Sequence, residues 1–504
     1  MLSPAQAALL SWSIPPAATF ALVLTALIYL RGWMLMCRAR VPFVPAWRAG
    51  CFLLGIFALW FALASPLDTF SGFLLTAHML QHMVLMMAAP PLILLGAPLI
   101  PLVRGLPVFG AREFAGPFLN WRVATRVGNF LIHPATALIL MGAAMFSWHT
   151  PRLYELALAS SGWHEVEHAC FFVASLIFWW PVIQPWPSQA QRARWIVVPY
   201  LLIGDLQNTV VAAILVFSDR LVYPSYAVMP RLFGMSALAD QSASGAIMWV
   251  LGSTVFLIPA CVIAVQCLSS RRPAPQTAHH DETSRYDALL GVAEVSLVSR
   301  GLRRRFRAPT AEAIAFIVFF TVAGLCLAAL ASRPSDDDDQ ALRVSQVSGP
   351  FAVSVFSLPG DLAAGNAEFS VLVQDRDTLQ VVQDAKVELQ AERAGTSQSP
   401  EAVRASSDDS ENKLLQTAEV DLPTRGDWTL GIRVSRNDAY ADITLPLRVV
   451  KAEAGMTMSW PYVIFGVLVL VLLFSYRRRH RRSNIPLRHA AATASTARNT
   501  AKLS

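Results

Sequence analysis

The sequence has few charged residues. Asp, Glu, Lys and Arg make up 15% of its 504 residues, whereas hydrophobic residues make up 54% and the mean hydropathy is +0.45. A soluble enzyme of this length is excluded, because its fold would have to cover too much apolar surface, so the solvent of the chain is a membrane. The net charge of +7 reflects arginines beside apolar stretches. It indicates membrane topology and contact with anionic lipid, and does not imply nucleic-acid binding.

Cysteine is also scarce. The six cysteines lie in or beside apolar stretches and form no CxxC pair. A disulfide framework is therefore excluded, and so is a copper chaperone site built on thiols. Residues 340–455 contain no histidine, cysteine or methionine, so this segment has no soft copper ligand of its own.

Charge-poor apolar stretches predict nine transmembrane spans, because a helix needs about 20 residues to cross a bilayer. The stretches are 2–30, 49–67, 69–103, 127–151, 168–191, 195–218, 241–270, 311–332 and 458–476. Four prolines between positions 90 and 101 predict a broken third span with an irregular tail. The sixth span contains an acid, Asp205, and an acid inside a membrane suggests a functional role.

Arginines follow every second predicted span and are sparse in the loops between. Short basic loops stay in the cytoplasm. The pattern therefore predicts a multi-pass protein of the bacterial plasma membrane, with its N-terminus outside and its C-terminus in the cytoplasm. The basic groups include Arg31, Arg38, Arg40 and Arg48 after the first span and Arg104, Arg112, Arg122 and Arg126 after the third.

The predicted fold class is an all-α polytopic membrane helix bundle with a seven-helix core and an inserted extracytoplasmic antiparallel β-sandwich. Apolar residues alternate in the inserted segment, and turn residues separate the runs. The alternating residues are Phe351, Val353 and Val355, then Phe369, Val371 and Val373, then Val387 and Leu389, and then Trp428, Leu430, Ile432 and Val434. The predicted segments are a seven-helix domain at 1–268, a cytoplasmic linker at 269–310, a helix at 311–332, the β-sandwich at 333–457, a helix at 458–476 and a basic cytoplasmic tail at 477–504.

Five histidines are predicted near the outer ends of the spans. His78 and His82 are four residues apart, His164 and His168 repeat that spacing, and His149 lies at the end of the fourth span. Residues four apart share one helix face, so these imidazoles could together hold one or two transition-metal ions. A single interfacial histidine is more often an ordinary polar anchor, but several unpaired imidazoles in lipid would be costly.

Further residues are candidates for auxiliary roles. Met79, Met83 and Met86 lie in the same span as the first pair, and soft thioethers beside imidazoles favour copper, Cu(I) in particular. Methionine also fills gaps in apolar helices, so packing alone is an equal alternative. Asp205 and Asp240 could orient the ligand histidines, or could form a bundle hydrogen bond and a helix cap.

Residues 164–168 read HEVEH, which matches the HExxH motif of zinc proteases, with Glu165 as the general base. That hypothesis leaves His78 and His82 without a role, and no third-ligand motif follows. Haem ligation is a further alternative, although two imidazoles on one helix side suit chelation better than opposed axial ligation. Copper is the favoured metal and zinc the alternative.

Several motifs in order resemble the CtaG family of cytochrome c oxidase assembly factors over residues 14–268. The motifs are HMLQH at 78–82, APPLILLGAP at 89–98, WHTP at 148–151 with Tyr154, His164 and His168 before FWWP at 178–181, and Asp240-Gln241 with GAIMW at 245–249. Residues 340–452 more weakly resemble YtkA-like and FixH-like β-sandwich modules.

The resemblance implies a seven-helix protein, not an enzyme, that matures a haem-copper oxidase and handles copper for it. Its expected partners are oxidase subunits or other copper chaperones, within the lipid bilayer. The expected copper ligands are His78, His82, His164 and His168, with His149 as an auxiliary ligand. An intramembrane zinc protease and a copper transporter with Asp205 on its path are the alternatives. The β-sandwich is expected to dock a partner or to shield the membrane site.

Overall fold

The computed structural model describes residues 3–39, 45–107, 122–186, 194–269, 341–358, 362–393, 402–408 and 410–450. The predicted spans at 311–332 and 458–476 lie outside these residues. So do the linker beyond Ser269 and the basic tail.

The first part of the chain is helical. The α-helices, in chain order, are α1 Pro4–Leu10, α2 Pro16–Arg38, α3 Ala46–Ala64, α4 Pro66–Ser71, α5 Leu75–Met83, α6 Ala89–Leu95, α7 Leu99–Gly105, α8 Arg122–Leu131, α9 Pro134–Trp148, α10 Pro151–Ala159, α11 Ser161–Ile183, α12 Val197–Phe217, α13 Ser225–Val228 and α14 Ala237–Ser269. A π-helical turn, Val84–Ala88, joins α5 to α6.

Six of the described helices are long and apolar enough to cross a membrane. They are Pro16–Arg38, Ala46–Ala64, Leu75–Leu95, Ser161–Ile183, Arg194–Phe217 and Ala237–Ser269. The predicted fourth span, 127–151, is divided: the chain breaks at His133, and α9 has only 15 residues. The break follows from local chemistry, because Pro134 begins a helix and the His133 ring accepts a hydrogen bond from the Ala135 N–H.

The third predicted span needs one correction. The stretch after Pro98, predicted to be irregular, forms the short helix α7, which packs directly against α2. A Cβ on Gly32 would lie 1.8 Å from the Pro101 oxygen, and a Cβ on Gly105 would lie 1.8 Å from the Ile28 oxygen. Glycine at both positions therefore lets the two backbones touch.

Residues 341–450 contain eight strands in two antiparallel four-stranded sheets, in the orders β1-β2-β3-β6 and β5-β4-β7-β8. The strands are β1 Ala341–Ser348, β2 Phe351–Leu358, β3 Gly365–Asp375, β4 Lys386–Arg393, β5 Val403–Arg404, β6 Gln416–Leu422, β7 Gly426–Arg436 and β8 Ala439–Val449. Residues directly opposite each other on neighbouring strands include Val353 with Val373 and Leu430 with Leu445. We call this part of the chain the β-domain.

The two sheets bury one hydrophobic cluster in common. The alternating residues identified in the sequence, including Val353, Val371, Leu389 and Ile432, all belong to it. β4 and β8 bury one face only, as alternation requires. β2 and β3 are instead buried on nearly every residue, so both of their faces are covered.

The second face of β2 and β3 packs on the helices. Phe356 and Leu372 join a separate cluster with Phe70 and Leu232 of the helical region. The rings of Phe356 and Phe73 are 5.4 Å apart, edge to face. Two hydrogen bonds also cross this contact: Gln374 Nε2 donates to the Arg231 oxygen at 2.9 Å, and the Lys413 N–H donates to Ser11 Oγ at 2.9 Å. The β-domain thus lies beside the start of α5.

Candidate metal centre

Two helices bring four histidines together. His78 and His82 lie one turn apart on α5, and His164 and His168 lie one turn apart on α11. Ring centroids are 4.3 Å apart in the first pair and 4.2 Å in the second. Across the helices, His78 lies 5.2 Å from His164, and His82 lies 5.3 Å from His168. The four rings therefore form one closed group.

The ligand atoms of this group are buried and unpaired. His78 is 0% exposed, His82 3% and His168 6%. The Nε2 atoms of these three residues and of His149 and His164 have no hydrogen-bond partner among the described residues. A buried polar atom without a partner costs about 1–3 kcal/mol, so four in this group and a fifth nearby, on His149, require an explanation. Coordination of a metal ion by imidazole nitrogens would supply it, and the donor set fits copper or zinc.

Glu167 belongs to the same group, although our sequence reasoning did not identify it. The ligand atoms of His78, His82, His164 and Glu167 all lie within 4.8 Å of one another. Glu167 is 1% exposed, and its Oε2 atom is 3.7 Å from His78 Nε2. The signal was its position three residues after His164, which places both on one face of α11. The HExxH match drew attention instead to Glu165, which is exposed.

His149 lies near the group but is not part of it. It follows α9, and its Nδ1 atom is 2.7 Å from the Met145 oxygen. Its ring is 5.9 Å from that of Phe171, which lies 4.9 Å from His82. Phe171 is therefore next to both imidazoles.

The predicted auxiliary residues have mainly structural contacts. Met79, Met83 and Met86 are buried in the main hydrophobic cluster of the bundle. Asp205 accepts a hydrogen bond from Ser253 Oγ at 2.7 Å, which joins α12 to α14.

Asp240 has a different position. Its carboxylate accepts hydrogen bonds from the N–H groups of Leu75 at 2.7 Å and Thr76 at 3.0 Å. These N–H groups begin α5, the helix of His78 and His82, and have no partner within that helix. Asp240 lies on α14 and therefore caps a different helix, α5, and fixes the residue at which α5 starts.

Three tyrosines pack beside the histidines. Tyr154 stacks on Tyr223 at 3.8 Å, and its ring lies 5.0 Å from that of His78. Tyr154 and Tyr226 share a hydrogen bond of 3.1 Å, and the Tyr226 hydroxyl donates to the Ser71 oxygen. Burial raises the pKa of Tyr223 and Tyr226 well above their ordinary range, so both phenols remain protonated donors.

With this geometry in place, comparison with known proteins identifies the helical region. Residues 27–270 match the family model described as cytochrome c oxidase caa3 assembly factor, Caa3_CtaG. The helical region is similar to the CtaG family over these residues, just under half of the chain. The resemblance read from the motifs is thereby confirmed. The CtaG-family match spans residues 78–168 and therefore includes all five candidate histidines.

The curated relatives have low sequence identity to this chain. The chain is 27% identical over 286 residues to uncharacterized proteins of Mycobacterium bovis and Mycobacterium tuberculosis, and the alignment covers 53% of this chain. It is 27% identical over 280 residues, or 52% of the chain, to an uncharacterized protein of Mycobacterium leprae. The chain spans 42%, 42% and 41% of the length of these relatives, respectively. No solved structure matches.

Proposed function

We propose that this protein is an assembly factor for a haem-copper cytochrome c oxidase and that it binds copper and hands it to the oxidase. The family match supports the assembly role. The observation that carries the copper role is the buried group of imidazoles on α5 and α11, whose Nε2 atoms have no hydrogen-bond partner within the described part of the chain. Copper is then the cargo of the protein, and the protein catalyses no reaction.

The donor set supports one copper ion held between the two helices. His78, His82, His164 and His168 are the proposed ligands, with His149 as an auxiliary ligand one aromatic ring away. Imidazole suits copper and zinc, and copper binds a given nitrogen site more tightly than zinc. Zinc remains the alternative cargo. Because the rings lie inside a helix bundle, the protein would carry the ion without exposing it to water.

The distribution of arginines supports a plasma-membrane location with the β-domain outside the cytoplasm. Arg38 is the last residue of α2 and Arg104 lies in α7, and a hydrogen bond joins α7 to the last turns of α2. Both arginines therefore lie at the end of the bundle away from the β-domain. Basic ends face the cytoplasm. We propose nine spans in total, with the N-terminus outside, the C-terminus inside and the two sheets of the β-domain forming a β-sandwich.

The partners follow from this orientation. We propose that oxidase subunits or other copper chaperones exchange copper at the end of the bundle that carries the β-domain. The β-domain has no histidine, cysteine or methionine between residues 340 and 455, so it would cover the site or dock a partner without binding the ion itself. Its contact with Phe73, five residues before His78, supports the covering role.

Two other functions are less well supported by the geometry. A zinc protease would need Glu165 as its general base beside the metal, but Glu165 is exposed and Glu167 is the buried acid. A transporter with Asp205 on its path would need that carboxylate free, but Asp205 binds Ser253.

Metal analysis of purified protein tests the proposal. We expect wild-type protein isolated from copper-supplied cells to contain copper, and the His78→Ala/His82→Ala variant to contain far less. The control is His133→Asn, which removes an imidazole from the start of α9 but leaves an asparagine that can cap the helix. Equal copper in all three proteins would remove the ligand role. Normal oxidase activity in cells lacking the protein would remove the assembly role.

A further inference from the structure

Glu167 is the one described acid inside a candidate span that is both buried and without a partner for a carboxylate oxygen. Asp205 binds Ser253, Asp240 caps α5, and Glu165 is exposed. Glu167 is 1% exposed, and its Oε2 atom makes no hydrogen bond among the described residues. An ionised carboxylate in such a place is costly unless a cation or several donors meet it.

Glu167 lies among side chains that could together bind a cation. Its Oε2 atom is 3.7 Å from His78 Nε2, which is too long for a hydrogen bond. It shares a space 4.8 Å across with the ligand atoms of His78, His82 and His164. A metal ion bound to three imidazoles within that space could also bind the carboxylate oxygen. One ion would then complete the bonding of all four side chains.

We propose that Glu167 is a metal ligand and that the site is built for a divalent ion, so that copper is carried as Cu(II). Glu167 then takes the fourth ligand position proposed above for His168, which does not belong to the group within 4.8 Å. This rests on the proposed copper-binding function and adds the charge state of the cargo. A carboxylate attracts an ion in proportion to its charge, so Glu167 stabilises a divalent ion about twice as strongly as Cu(I) at equal distance. Carboxylate is also a hard ligand, which suits divalent ions better than soft Cu(I).

The experiment compares affinities for Cu(II), Zn(II) and Cu(I) on purified full-length protein in detergent. The variants are wild type, Glu167→Gln, His78→Ala and Glu165→Gln. The last is the matched control, because it makes the same change on α11 at an exposed position. We expect His78→Ala to lose all three ions and Glu165→Gln to match wild type. We expect Glu167→Gln to lose roughly tenfold or more in Cu(II) and Zn(II) affinity, with a clearly smaller loss for Cu(I).

The outcomes distinguish failure of the Glu167 ligand role from failure of the proposed copper-binding function. If His78→Ala binds every ion as wild type does, the copper site itself is wrong. If His78→Ala loses the ions but Glu167→Gln keeps wild-type affinity, or weakens Cu(I) and Cu(II) equally, the copper site stands and the role of Glu167 is wrong. Wild-type affinity for Zn(II) above that for Cu(II) would leave a divalent site but overturn copper as its cargo.

A second measurement detects the ligand atoms of the ion directly. Electron paramagnetic resonance of the Cu(II)-loaded wild type should show an axial signal with nitrogen coupling from three imidazoles and a mixed nitrogen and oxygen donor set. We expect Glu165→Gln to give the same spectrum as wild type. We expect Glu167→Gln to show a shifted copper hyperfine splitting. A spectrum of four equivalent nitrogens that does not change in Glu167→Gln would overturn carboxylate ligation, whatever the variant does to folding.

Discussion

Asp240 holds the helix that carries His78 and His82. It accepts the N–H groups of Leu75 and Thr76 and is 3% exposed, so removal of its carboxylate would leave buried donors unpaired. We expect Asp240→Ala to lower the free energy of unfolding by about 1–2 kcal/mol. Asp240→Asn retains one acceptor oxygen and should cost less. Thermal unfolding in detergent measures both, and an Asp240→Ala protein as stable as wild type would contradict the capping role.

Asp68 makes stability depend on pH. Burial, aided by the charges of Glu411 and Glu165 and opposed by a hydrogen bond from Gln81, raises the pKa of Asp68 from 3.8 to about 7. The folded protein therefore holds this proton more tightly than the unfolded chain, and the stability that the proton provides is lost as pH rises from about 4 to about 7.

The Asp68→Asn variant isolates this effect. The melting temperature of wild type should fall relative to that of Asp68→Asn across that range, because the amide does not ionise. Asp219→Asn changes an exposed acid and serves as the control. Parallel pH profiles for wild type and Asp68→Asn would show that Asp68 does not titrate in this range.

At the scale of elements, α2 and α7 depend on glycine at their contact. A methyl group on Gly105 would overlap the Ile28 oxygen. We expect Gly105→Ala to destabilise the protein by about 1–3 kcal/mol, since the helices must separate. Gly50→Ala is the control: nothing lies within 4 Å of a Cβ at that position of α3. It should be neutral or stabilise by about 0.5–1 kcal/mol. Equal melting temperatures for the two variants would contradict the close contact.

The sequence predicts most of these elements because hydrophobic length and alternation reflect local burial. Val353 and Ile432 were placed in the β-domain core by alternation alone, and both are buried there. Phe356 was not assigned a partner, because the helices that cover it are remote in sequence. The division at His133 was also missed, although His133-Pro134 is a helix-start signal inside the apolar stretch.

Part of the site was predictable because residue spacing along a helix shows which side chains share a face. The spacing of His78 with His82 and of His164 with His168 shows that each pair shares a face, and the structure brings the pairs together. Glu167 lies three residues after His164 and so shares the face of that histidine, a local signal that the HExxH match at Glu165 obscured. The ligand roles and the preference for Cu(I) remain predictions, and Glu167 argues for a divalent ion instead.

At the scale of the molecule, the proposed orientation predicts which loops reach the outside of the cell. Arg38 and Arg220 are both exposed and belong to opposite ends of the bundle. In protein whose native cysteines are replaced by alanine, we expect Arg220→Cys to react with a membrane-impermeant maleimide in intact cells. Arg38→Cys should react only after the cells are broken. The reverse labelling would place the β-domain in the cytoplasm and contradict the proposed copper entry side.

The account as a whole depends on one ion lying between α5 and α11. Crystals of copper-loaded full-length protein, measured with X-rays just above and below the copper absorption edge, would locate it directly. We predict one strong anomalous peak about 2 Å from the nearest nitrogens of His78, His82 and His164, and absent from crystals of the His78→Ala/His82→Ala variant. A peak at another place in the protein, or no peak in protein shown to contain copper, would contradict the account.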